Sequence, residues 1–407
     1  MTVPLLQHYL ERRLPDALEI LRQMVEINSW TENRDGVNRL AKLTSQVFAR
    51  LGFSAESVPS AQSRWGDHLV LTRKGNGPRS IAFVSHLDTV FPPEEEIRNA
   101  FRWSVEGDRI YGPGTNDIKG GTVMMWLVLE ALKESDPVLF ELVTWRLFLN
   151  SSEENYSPDF GQLIRSRLEP DALAALVFES EGRLGEERLM VVARKGRASF
   201  RVRVEGRASH AGSSHASGAN AIVQLARTVE QIAAITDYAA EVTVNVGTIS
   251  GGTVLNRVPH EAVAEGELRA FTPEAYNCAI GRLKSLAGEG TVRSITDKHP
   301  CRISIEILTE TRPWPANAGS DSLFRHWEAA GKEYGVLIGS QERGGLSDGN
   351  LIWDHVPTLD GLGPSGEFSH CSERSADGSK VPEYVDLPSF VPKALVNVNA
   401  IRRLLKA

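Results

Sequence analysis

The chain contains 407 residues, of which 41% are hydrophobic and 24% are charged. This length exceeds what one hydrophobic core usually supports, and the composition is typical of globular proteins, so we expect two domains. The formal net charge of −7 comes from 45 basic and 52 acidic residues, and the basic residues are scattered, which argues against nucleic acid as the main partner.

The first part of the chain alternates helical and extended patterns. The predicted elements are helices over Leu5–Ile27 and Val37–Leu51, strands over His68–Thr72 and Ile81–Ser85, a helix over Gly121–Leu132, and strands over Leu142–Leu149 and Leu173–Phe178. We expect Pro15 to break the first helix or to start a new one, and Leu87–Ile118 to form a long loop of the kind that is usually functional. Strands that alternate with helices predict an α/β domain with a mainly parallel sheet.

The pattern changes near residue 195. The next elements are a strand over Phe200–Val204, a helix over Ala219–Ile235, strands over Val242–Ile249 and Ala262–Ala270, a helix over Glu274–Leu286 and a strand over Ile303–Leu308. This β-α-β-β-α-β order predicts a ferredoxin-like unit. A helix over Asp321–Tyr334, strands over Leu337–Ser340 and Val356–Leu359, and a helix over Pro388–Leu405 then return to the first domain. We therefore predict a discontinuous domain over 1–194 and 312–407, with a second domain over 195–311 inserted into it.

The termini and the cysteines bear on the cellular compartment. The amino terminus lacks a basic segment followed by a sustained apolar run, so we expect no secretory signal, and no stretch is apolar for long enough to span a bilayer. Three cysteines, Cys278, Cys301 and Cys371, form an odd set without C-x-x-C spacing. A reducing cytoplasm fits this set best, and a mature periplasmic or secreted form is the alternative.

The strand over Ile81–Ser85 leads into His86-Leu87-Asp88. His86 and Asp88 are two residues apart, so they point to the same side of an extended chain. In such a pair the imidazole can ligate a metal while the carboxylate orients it, and ligands of open parallel sheets bind at the carboxyl ends of the strands. The alternative is an ordinary surface histidine and aspartate.

A glycine-rich segment, Gly112–Gly121, contains Asp117 just ahead of a predicted helix. Its glycines permit a tight turn and a close approach of the backbone, which would present one carboxylate to a cleft. A phosphate-binding loop is the rival interpretation. That motif requires Gly-Lys-Ser/Thr, however, and here Lys119 follows Ile118.

Three further polar sites follow apolar runs or lie in a flexible segment. Glu153 and Glu154 follow a predicted strand, and since neighbours in an extended chain point opposite ways, one can bind metal while the other handles a proton. Glu179 also ends an apolar run, with Glu181 as a substitute. His370 lies in a Gly/Ser-rich loop that we expect to bend back toward the site.

Together these positions supply two histidines and three or four carboxylates. Mixed nitrogen and oxygen ligands suit Zn²⁺, and also Mn²⁺ or Co²⁺. An aspartate shared between two ions is the arrangement of a two-metal site, which activates a water molecule and needs a base close by. Glu153 or Glu154 can supply that base.

The motifs also carry a resemblance to a known family. They are Ser85-His-Leu-Asp-Thr89, Gly112-Pro-Gly-x-x-Asp-x-Lys-Gly-Gly121, Glu153-Glu154, Glu179, Ser209-His-Ala-Gly212 and His370. In this order they resemble the dinuclear zinc metallopeptidases and aminoacylases, which include carboxypeptidase G, acetylornithine deacetylase and succinyl-diaminopimelate desuccinylase. The match runs from about residue 10 to the end, and the chain is most similar to carboxypeptidase G, a glutamate carboxypeptidase. The resemblance implies a zinc-binding αβα domain interrupted by a smaller lid or dimerisation domain, and hence a homodimer.

The same resemblance implies a role for each matching residue. His86 and Glu179 would ligate one metal, Glu154 and His370 the other, Asp117 would bridge both, Asp88 would orient His86, and Glu153 would be the general acid and base. His210, in the inserted domain, would stabilise the tetrahedral oxyanion, in some relatives from a partner subunit. Arg269 would hold the substrate carboxylate, because its planar fork binds carboxylates in two bonds, and Asn256 would lie in the same wall.

We therefore expect a metal-dependent hydrolase that cleaves an amide to release a carboxylate-bearing amino acid. The alternatives are an N-acyl-amino-acid deacylase and a hydrolase of another C–N bond in a small carboxylate substrate. Two further hypotheses are a catalytically idle binding protein, which predicts a missing base or ligand, and a nucleotide-binding transferase, which predicts no metal histidines.

The sequence also departs from the family pattern. Asn116 and Ile118 replace the residues that most often flank the bridging aspartate. The stretch Ser372–Pro382 is longer than in near relatives, and Gly344–Asp348 resembles a loop near the substrate. Cys371 beside a ligand is unexpected, and we expect a buried, inert thiol there rather than a competing metal ligand.

Overall fold

The structure is a computed structural model that describes residues 3–155, 157–169 and 171–407. It divides into two compact units. The first unit comprises residues up to Val192, Ala316–Glu342 and Ser347–Ala407, and the second comprises Ala193–Pro315 and Arg343–Leu346. Among the described residues, no helix is both long and apolar enough to cross a membrane.

The helices and strands are numbered in chain order. The helices are α1 Val3–Val25, α2 Arg34–Ala49, α3 Pro93–Arg98, α4 Gly120–Ser135, α5 Pro137–Leu142, α6 Pro158–Arg167, α7 Ala221–Ala233, α8 Pro273–Ser285, α9 Ala318–Glu333 and α10 Phe390–Lys406. The strands are β1 Ser54–Val58, β2 His68–Arg73, β3 Ser80–His86, β4 Ser104–Glu106, β5 Arg109–Tyr111, β6 Thr144–Asn150, β7 Ala174–Val177, β8 Gly182–Leu184, β9 Glu187–Arg194, β10 Gly196–Glu205, β11 Thr243–Gly251, β12 Glu261–Ala270, β13 Gly288–Arg293, β14 Pro300–Thr311, β15 Ile338–Arg343, β16 Thr358–Leu359, β17 Gly366–Glu367 and β18 Tyr384–Asp386.

The first unit is built on a six-stranded sheet in the order β1-β2-β6-β3-β7-β16. The pairs β3–β6, β3–β7 and β7–β16 are parallel, while β1–β2 and β2–β6 are antiparallel, so the predicted mainly parallel sheet is confirmed. Every residue of β3 is buried, as expected of a central strand covered on both faces. The carboxyl ends of β3, β6 and β7 therefore meet at one edge of the sheet.

The second unit is a five-stranded antiparallel sheet in the order β11-β12-β10-β14-β13. The four strands β11, β12, β10 and β14 have the order of the predicted ferredoxin-like unit, and α7 and α8 pack against one face of the sheet. The additional edge strand β13 was not predicted. Its sequence begins Gly-Glu-Gly, and glycine weakens the strand pattern that such a prediction needs.

Two expectations about local structure were wrong. Helix α1 runs through Pro15 without a break, because Leu10, Ala17 and Leu21 lie on one fully buried face that continues on both sides of the proline. The stretch Leu87–Ile118 is not a single loop. It contains α3, β4 and β5, and β5 pairs with β18 near the end of the chain. That long-range pairing has no signal in the local sequence.

Candidate metal centre

His86 is the last residue of β3 and is almost completely buried. Its Nδ1 lies 3.0 Å from the backbone carbonyl oxygen of Asp88, which can only accept, so in the neutral ring Nδ1 carries the hydrogen and Nε2 is the nitrogen that can bind a metal. Nε2 lies 3.0 Å from Oδ1 of Asp117 and 3.8 Å from Oε1 of Glu179. Burial alone would lower the pKa of His86, but hydrogen bonds to Asp117 and Asp88 raise it well above its ordinary value.

Asp117 is held between the ends of two strands by the turn before α4. The backbone N–H groups of Asn116 and Asp117 donate to Oε1 of Glu383 at 2.9 and 3.2 Å. Gly121, in the first turn of α4, lies against the end of β7, where an added Cβ would come within 1.9 Å of the carbonyl oxygen of Phe178. Only glycine permits this approach, which brings Asp117 close to the residue that follows Phe178, the predicted ligand Glu179.

A second group of ligand atoms shares Asp117. Nε2 of His370 lies 3.4 Å from Oδ2 of Asp117 and 3.2 Å from Oε2 of Glu154. Asp117 thus offers one oxygen to His86 and the other to His370. His370 has a φ of +68°, a left-handed conformation that is rare for residues other than glycine and is typical of functional sites.

The carboxylate of Asp88 organises the two glutamates of the site. It accepts the backbone N–H groups of Glu153 at 3.0 Å and Glu154 at 3.2 Å, and the hydroxyl of Thr31 at 2.7 Å. Its contact with Nδ1 of His86 is longer, at 3.4 Å, than the contact made by its own carbonyl oxygen. Asp88 therefore positions His86 mainly through the backbone, and the Glu153–Glu154 segment through its side chain.

From the sequence we expected Glu153 and Glu154 to lie in an extended chain, and this expectation was wrong. Strand β6 ends at Asn150, and the two glutamates lie in a turn. Burial raises the pKa of Glu153 well above its ordinary value, and the nearby carboxylates of Asp348, Glu154 and Glu179 raise it further, while His86 lowers it. Glu153 is thus a carboxyl group that readily accepts a proton.

The electrostatics of the site favour a cation. Burial and the neighbouring Asp117 raise the pKa of Glu154 to about 7. Hydrogen bonds to Asp117 and Glu154 raise the pKa of His370 to about 11, against the effect of burial. Oε1 of Glu154 is buried and has no hydrogen-bond partner among the described residues, as expected of an oxygen arranged for a ligand.

Two buried carboxylates of the site were missed in the sequence. Asp348 accepts a hydrogen bond of 2.7 Å from the side chain of Asn150, and burial raises its pKa to about 7. Glu383 is completely buried, and burial together with the charge of Asp117 raises its pKa to about 8. Asp348 ends the segment Gly344–Asp348, which the sequence analysis noted only as resembling a loop near the substrate, whereas no local pattern points to Glu383.

The other candidates of the first unit have different surroundings. Glu181, the proposed substitute for Glu179, instead makes buried ion pairs with Lys393 at 3.0 Å and Arg188 at 2.6 Å. Cys371 is partly exposed rather than buried, so the expectation of a buried thiol was wrong. In the segment that follows, the hydroxyl of Ser372 accepts a hydrogen bond of 2.7 Å from the side chain of Asn99.

His210, Asn256 and Arg269 belong to the second unit. The loops that carry His210 and Asn256 are paired, since the N–H of Ala211 donates to the carbonyl oxygen of Asn256 at 2.9 Å. Arg269, on β12, donates to Glu267 at 2.8 and 3.1 Å and to the carbonyl oxygen of Gly344 at 2.9 Å. The roles that the sequence predicts for these three residues remain predictions.

The donor set fits two metal ions. His86, Asp117 and Glu179 present ligand atoms that all lie within 4.8 Å of one another, and so do Asp117, Glu154 and His370. Two imidazole nitrogens with three carboxylates, one of them shared, form the kind of donor set that two-metal hydrolytic centres use. Fold and site together therefore define a metal-dependent hydrolase with an α/β scaffold.

Comparison with known families places the chain within this class. The model of "Peptidase family M20/M25/M40" matches residues 82–389, which is more than half of the chain. The chain belongs to this peptidase family, as the sequence motifs predicted, and it is a metal-dependent hydrolase.

Relatives extend the match over nearly the whole chain. Carboxypeptidase G2 from Pseudomonas sp. (strain RS-16) is 29% identical over 384 residues, which cover 94% of this chain and 87% of the relative. Acetylornithine deacetylase from Klebsiella pneumoniae (strain 342) is 25% identical over 317 residues, which cover 74% and 78%. The crystal structure of aminopeptidase PepT from Bacillus cereus has the same fold, with a TM-score of 0.74 at 21% identity over 96% of this chain and 98% of that one.

Proposed function

We propose that the protein cleaves an amide bond to release an amino acid with a free carboxylate, in the manner of a glutamate carboxypeptidase. The observation that carries this proposal is the division of the Asp117 carboxylate between His86 and His370. The likeness to Carboxypeptidase G2 supports the choice of substrate class. An N-acyl-amino-acid deacylase is the second candidate, supported by the likeness to an acetylornithine deacetylase, and a hydrolase of another C–N bond in a small carboxylate substrate is the third.

In this proposal His86 and Glu179 would hold one divalent ion, Glu154 and His370 would hold the other, and Asp117 would be shared between them. Zn²⁺ is the first choice for imidazole and carboxylate ligands, and Mn²⁺ and Co²⁺ are the alternatives. Two such ions supply Lewis acidity for the amide carbonyl and lower the pKa of the attacking water. The remaining work of proton transfer and orientation belongs to the side chains.

Glu153 is proposed as the general acid and base. Its buried position among other carboxylates raises its pKa, so its carboxylate takes the proton from the attacking water readily. The same carboxyl group then delivers that proton to the leaving nitrogen. Asp88 keeps Glu153 in place, because its carboxylate accepts the backbone N–H of Glu153.

Glu383 is proposed to position the shared ligand. It touches Asp117 only through the backbone, where its carboxyl oxygen accepts two adjacent N–H groups. These hydrogen bonds fix the turn that aims the Asp117 carboxylate between the two histidines. Glu383 therefore acts on both metal positions at once, without offering a ligand atom itself.

His210 is proposed to stabilise the oxyanion of the tetrahedral intermediate. Its Nδ1 accepts the backbone N–H groups of Gly212 and Ser213, both at 3.1 Å. In the neutral ring the hydrogen therefore lies on Nε2, and this nitrogen of the exposed side chain can donate to an oxyanion. A preorganised donor of this kind is worth roughly 3–4 kcal/mol. We further propose a homodimer through the inserted domain, 195–311, in which His210 serves the site of the partner subunit.

Arg269 and Asn256 are proposed to contact the substrate, with Arg269 near its carboxylate. The fork of Arg269 is already engaged by Glu267, which keeps the guanidinium rigid and partly neutralises it. For the compartment we propose the cytoplasm, in line with the sparse and unpaired cysteines.

A substrate panel tests the proposed function. N-acyl amino acids and dipeptides, each paired with the analogue in which a carboxamide replaces the free carboxylate, are assayed with zinc, manganese and cobalt. We expect turnover of the acids with at least one metal and little turnover of the carboxamides. Equal rates on acids and carboxamides, or release of an acyl group from amines without any carboxylate, would refute a carboxylate-directed hydrolase.

A further inference from the structure

One face of the second unit's sheet carries no helix and is lined by charged residues. On β10, Ala198, Phe200 and Val202 point to the helix-covered core, so the alternate residues point to the other face. There Arg201 forms an ion pair with Glu265 on β12 at 2.7 Å. Arg203 likewise pairs with Glu261 at 2.8 Å. Each of these arginines thus has a carboxylate partner, as is usual for neighbouring strands.

The pattern fails at the start of β10. Arg197 lies directly opposite Arg269 in the antiparallel register of β10 and β12. Residues in such positions have Cβ atoms about 4.5–5.5 Å apart, and like charges there are destabilising. The carboxylate of Glu267 is taken up by Arg269. The guanidinium of Arg197 makes no hydrogen bond or ion pair within the described part of the chain, and its Nε is buried without a partner.

The register places hydroxyl groups on both sides of the two arginines. Thr243 on β11 is the partner of Arg269, and Thr311 on β14 is the partner of Arg197. A row across four strands thus reads threonine, arginine, arginine, threonine. The row offers two guanidinium groups flanked by two hydroxyls. Glu267, one position along the sheet, pairs with Arg269, whereas Arg197 has no carboxylate partner among the described residues. A local arrangement that costs stability without a compensating contact is a mark of a binding site.

We propose that this row binds a carboxylate and that Arg197, rather than Arg269, is the residue that supplies the free charge. A planar guanidinium binds a carboxylate in two parallel bonds, and a single carboxylate neutralises the row. Arg269, already held by Glu267, serves as a fixed neighbour. The identity of this carboxylate as the free carboxylate of the released amino acid rests on the proposed function, whereas the binding of a carboxylate does not.

The test compares Arg197→Ala, Arg197→Lys and Arg269→Ala with the matched control Arg201→Ala. Arg201 lies on the same strand and face but is fully paired. Binding of N-acetylalanine and of N-acetylalaninamide to the metal-loaded full-length protein is measured by calorimetry, and kcat and KM are measured on the best acid of the substrate panel. The calorimetric arm needs no turnover, so it separates this inference from the proposed function.

Arg197→Ala should weaken N-acetylalanine binding and raise KM by about 10- to 100-fold, which is the range of charged hydrogen bonds, with little change in kcat. N-acetylalaninamide binding and the Arg201→Ala protein should be unchanged, and Arg197→Lys should recover part of the loss. Unchanged binding in Arg197→Ala, an equal loss for acid and carboxamide, or a loss only in Arg269→Ala would overturn the proposal. If Arg197→Ala does not fold, Arg197→Gln, which keeps the length of the side chain, takes its place under the same criteria.

Discussion

The two proposed metal positions depend on different parts of Asp88, and replacing Asp88 with alanine should affect them differently. The substitution keeps the backbone carbonyl oxygen that accepts from His86 at 3.0 Å. It removes the carboxylate that accepts from the backbone N–H groups of Glu153 and Glu154 at 3.0 and 3.2 Å. We therefore expect the position of Glu154 and His370 to lose affinity, while the position of His86 and Glu179 keeps most of it.

The magnitude follows from the lost hydrogen bonds. Leaving one buried N–H group without its acceptor costs about 1–3 kcal/mol. The loss of the acceptor for both Glu153 and Glu154 therefore costs about 2–6 kcal/mol of folding stability. This figure leaves out the hydrogen bond that the hydroxyl of Thr31 also loses. The share that falls on the backbone of Glu154 corresponds to about 5- to 150-fold weaker binding of the second ion. Turnover should fall further than metal affinity, because Glu153 loses its anchor as well.

The assay is metal stoichiometry and affinity by calorimetric titration, with thermal unfolding measured in parallel. The control is Asp237→Ala, since Asp237 also accepts two backbone N–H groups, those of Ala239 and Ala240 at 3.0 and 3.1 Å, but does so in the second unit. It should bind two ions as the parent does. Equal weakening of both ions in Asp88→Ala, or unchanged binding of both, would show that its carboxylate does not hold the glutamate segment.

Four further predictions address the same site. Glu153→Gln should abolish turnover and keep both ions, and a parallel loss of metal would make Glu153 a ligand. Glu383→Ala should weaken the binding of both ions together, because the N–H groups of Asn116 and Asp117 lose their acceptor. Glu383→Gln keeps an acceptor oxygen and should still bind both ions. Calorimetric titration distinguishes these results. Chelation of the metal should lower thermal stability by about 5 kcal/mol if each ion is present at about 100 times its Kd, and an unchanged unfolding curve would argue against two specific sites. Mixing His210→Ala with Glu153→Gln subunits should restore activity in hybrid dimers, and no recovery after confirmed subunit exchange would place His210 in the site of its own chain.

Much of the candidate metal centre was predictable because the residues proposed to hold the ions end strong local patterns. His86 ends a strand whose residues are all buried, and the apolar run before it is easily recognised in sequence. Asp117 precedes a helix whose glycines mark a close approach of the backbone, and Glu179 ends another apolar run. Since parallel strands end at one edge of a sheet, the sequence order of these motifs already indicated that they meet.

What could not be predicted depends on contacts between distant segments. The turn at Glu153 and Glu154 exists because the Asp88 carboxylate accepts both backbone N–H groups, and no local pattern encodes this. Glu383 acts through the backbone of a segment far away in sequence, so its own neighbours carry no signal. The continuity of α1 through Pro15 depends on the buried face against which both halves of the helix pack.

The arginine row shows the same limit most clearly. The predicted strand over Phe200–Val204 contains Arg201 but not Arg197, whereas the structure places both arginines on β10. On the neighbouring strands Arg197 faces Arg269 and Thr311, whereas Arg201 faces Glu265 and Glu306. Register decides that pairing, and a shift of one residue would move every side chain to the other face. The sequence alone therefore does not distinguish an arginine that pairs within the sheet from one that we propose to bind a carboxylate. That distinction depends on the strand pairing in the folded sheet.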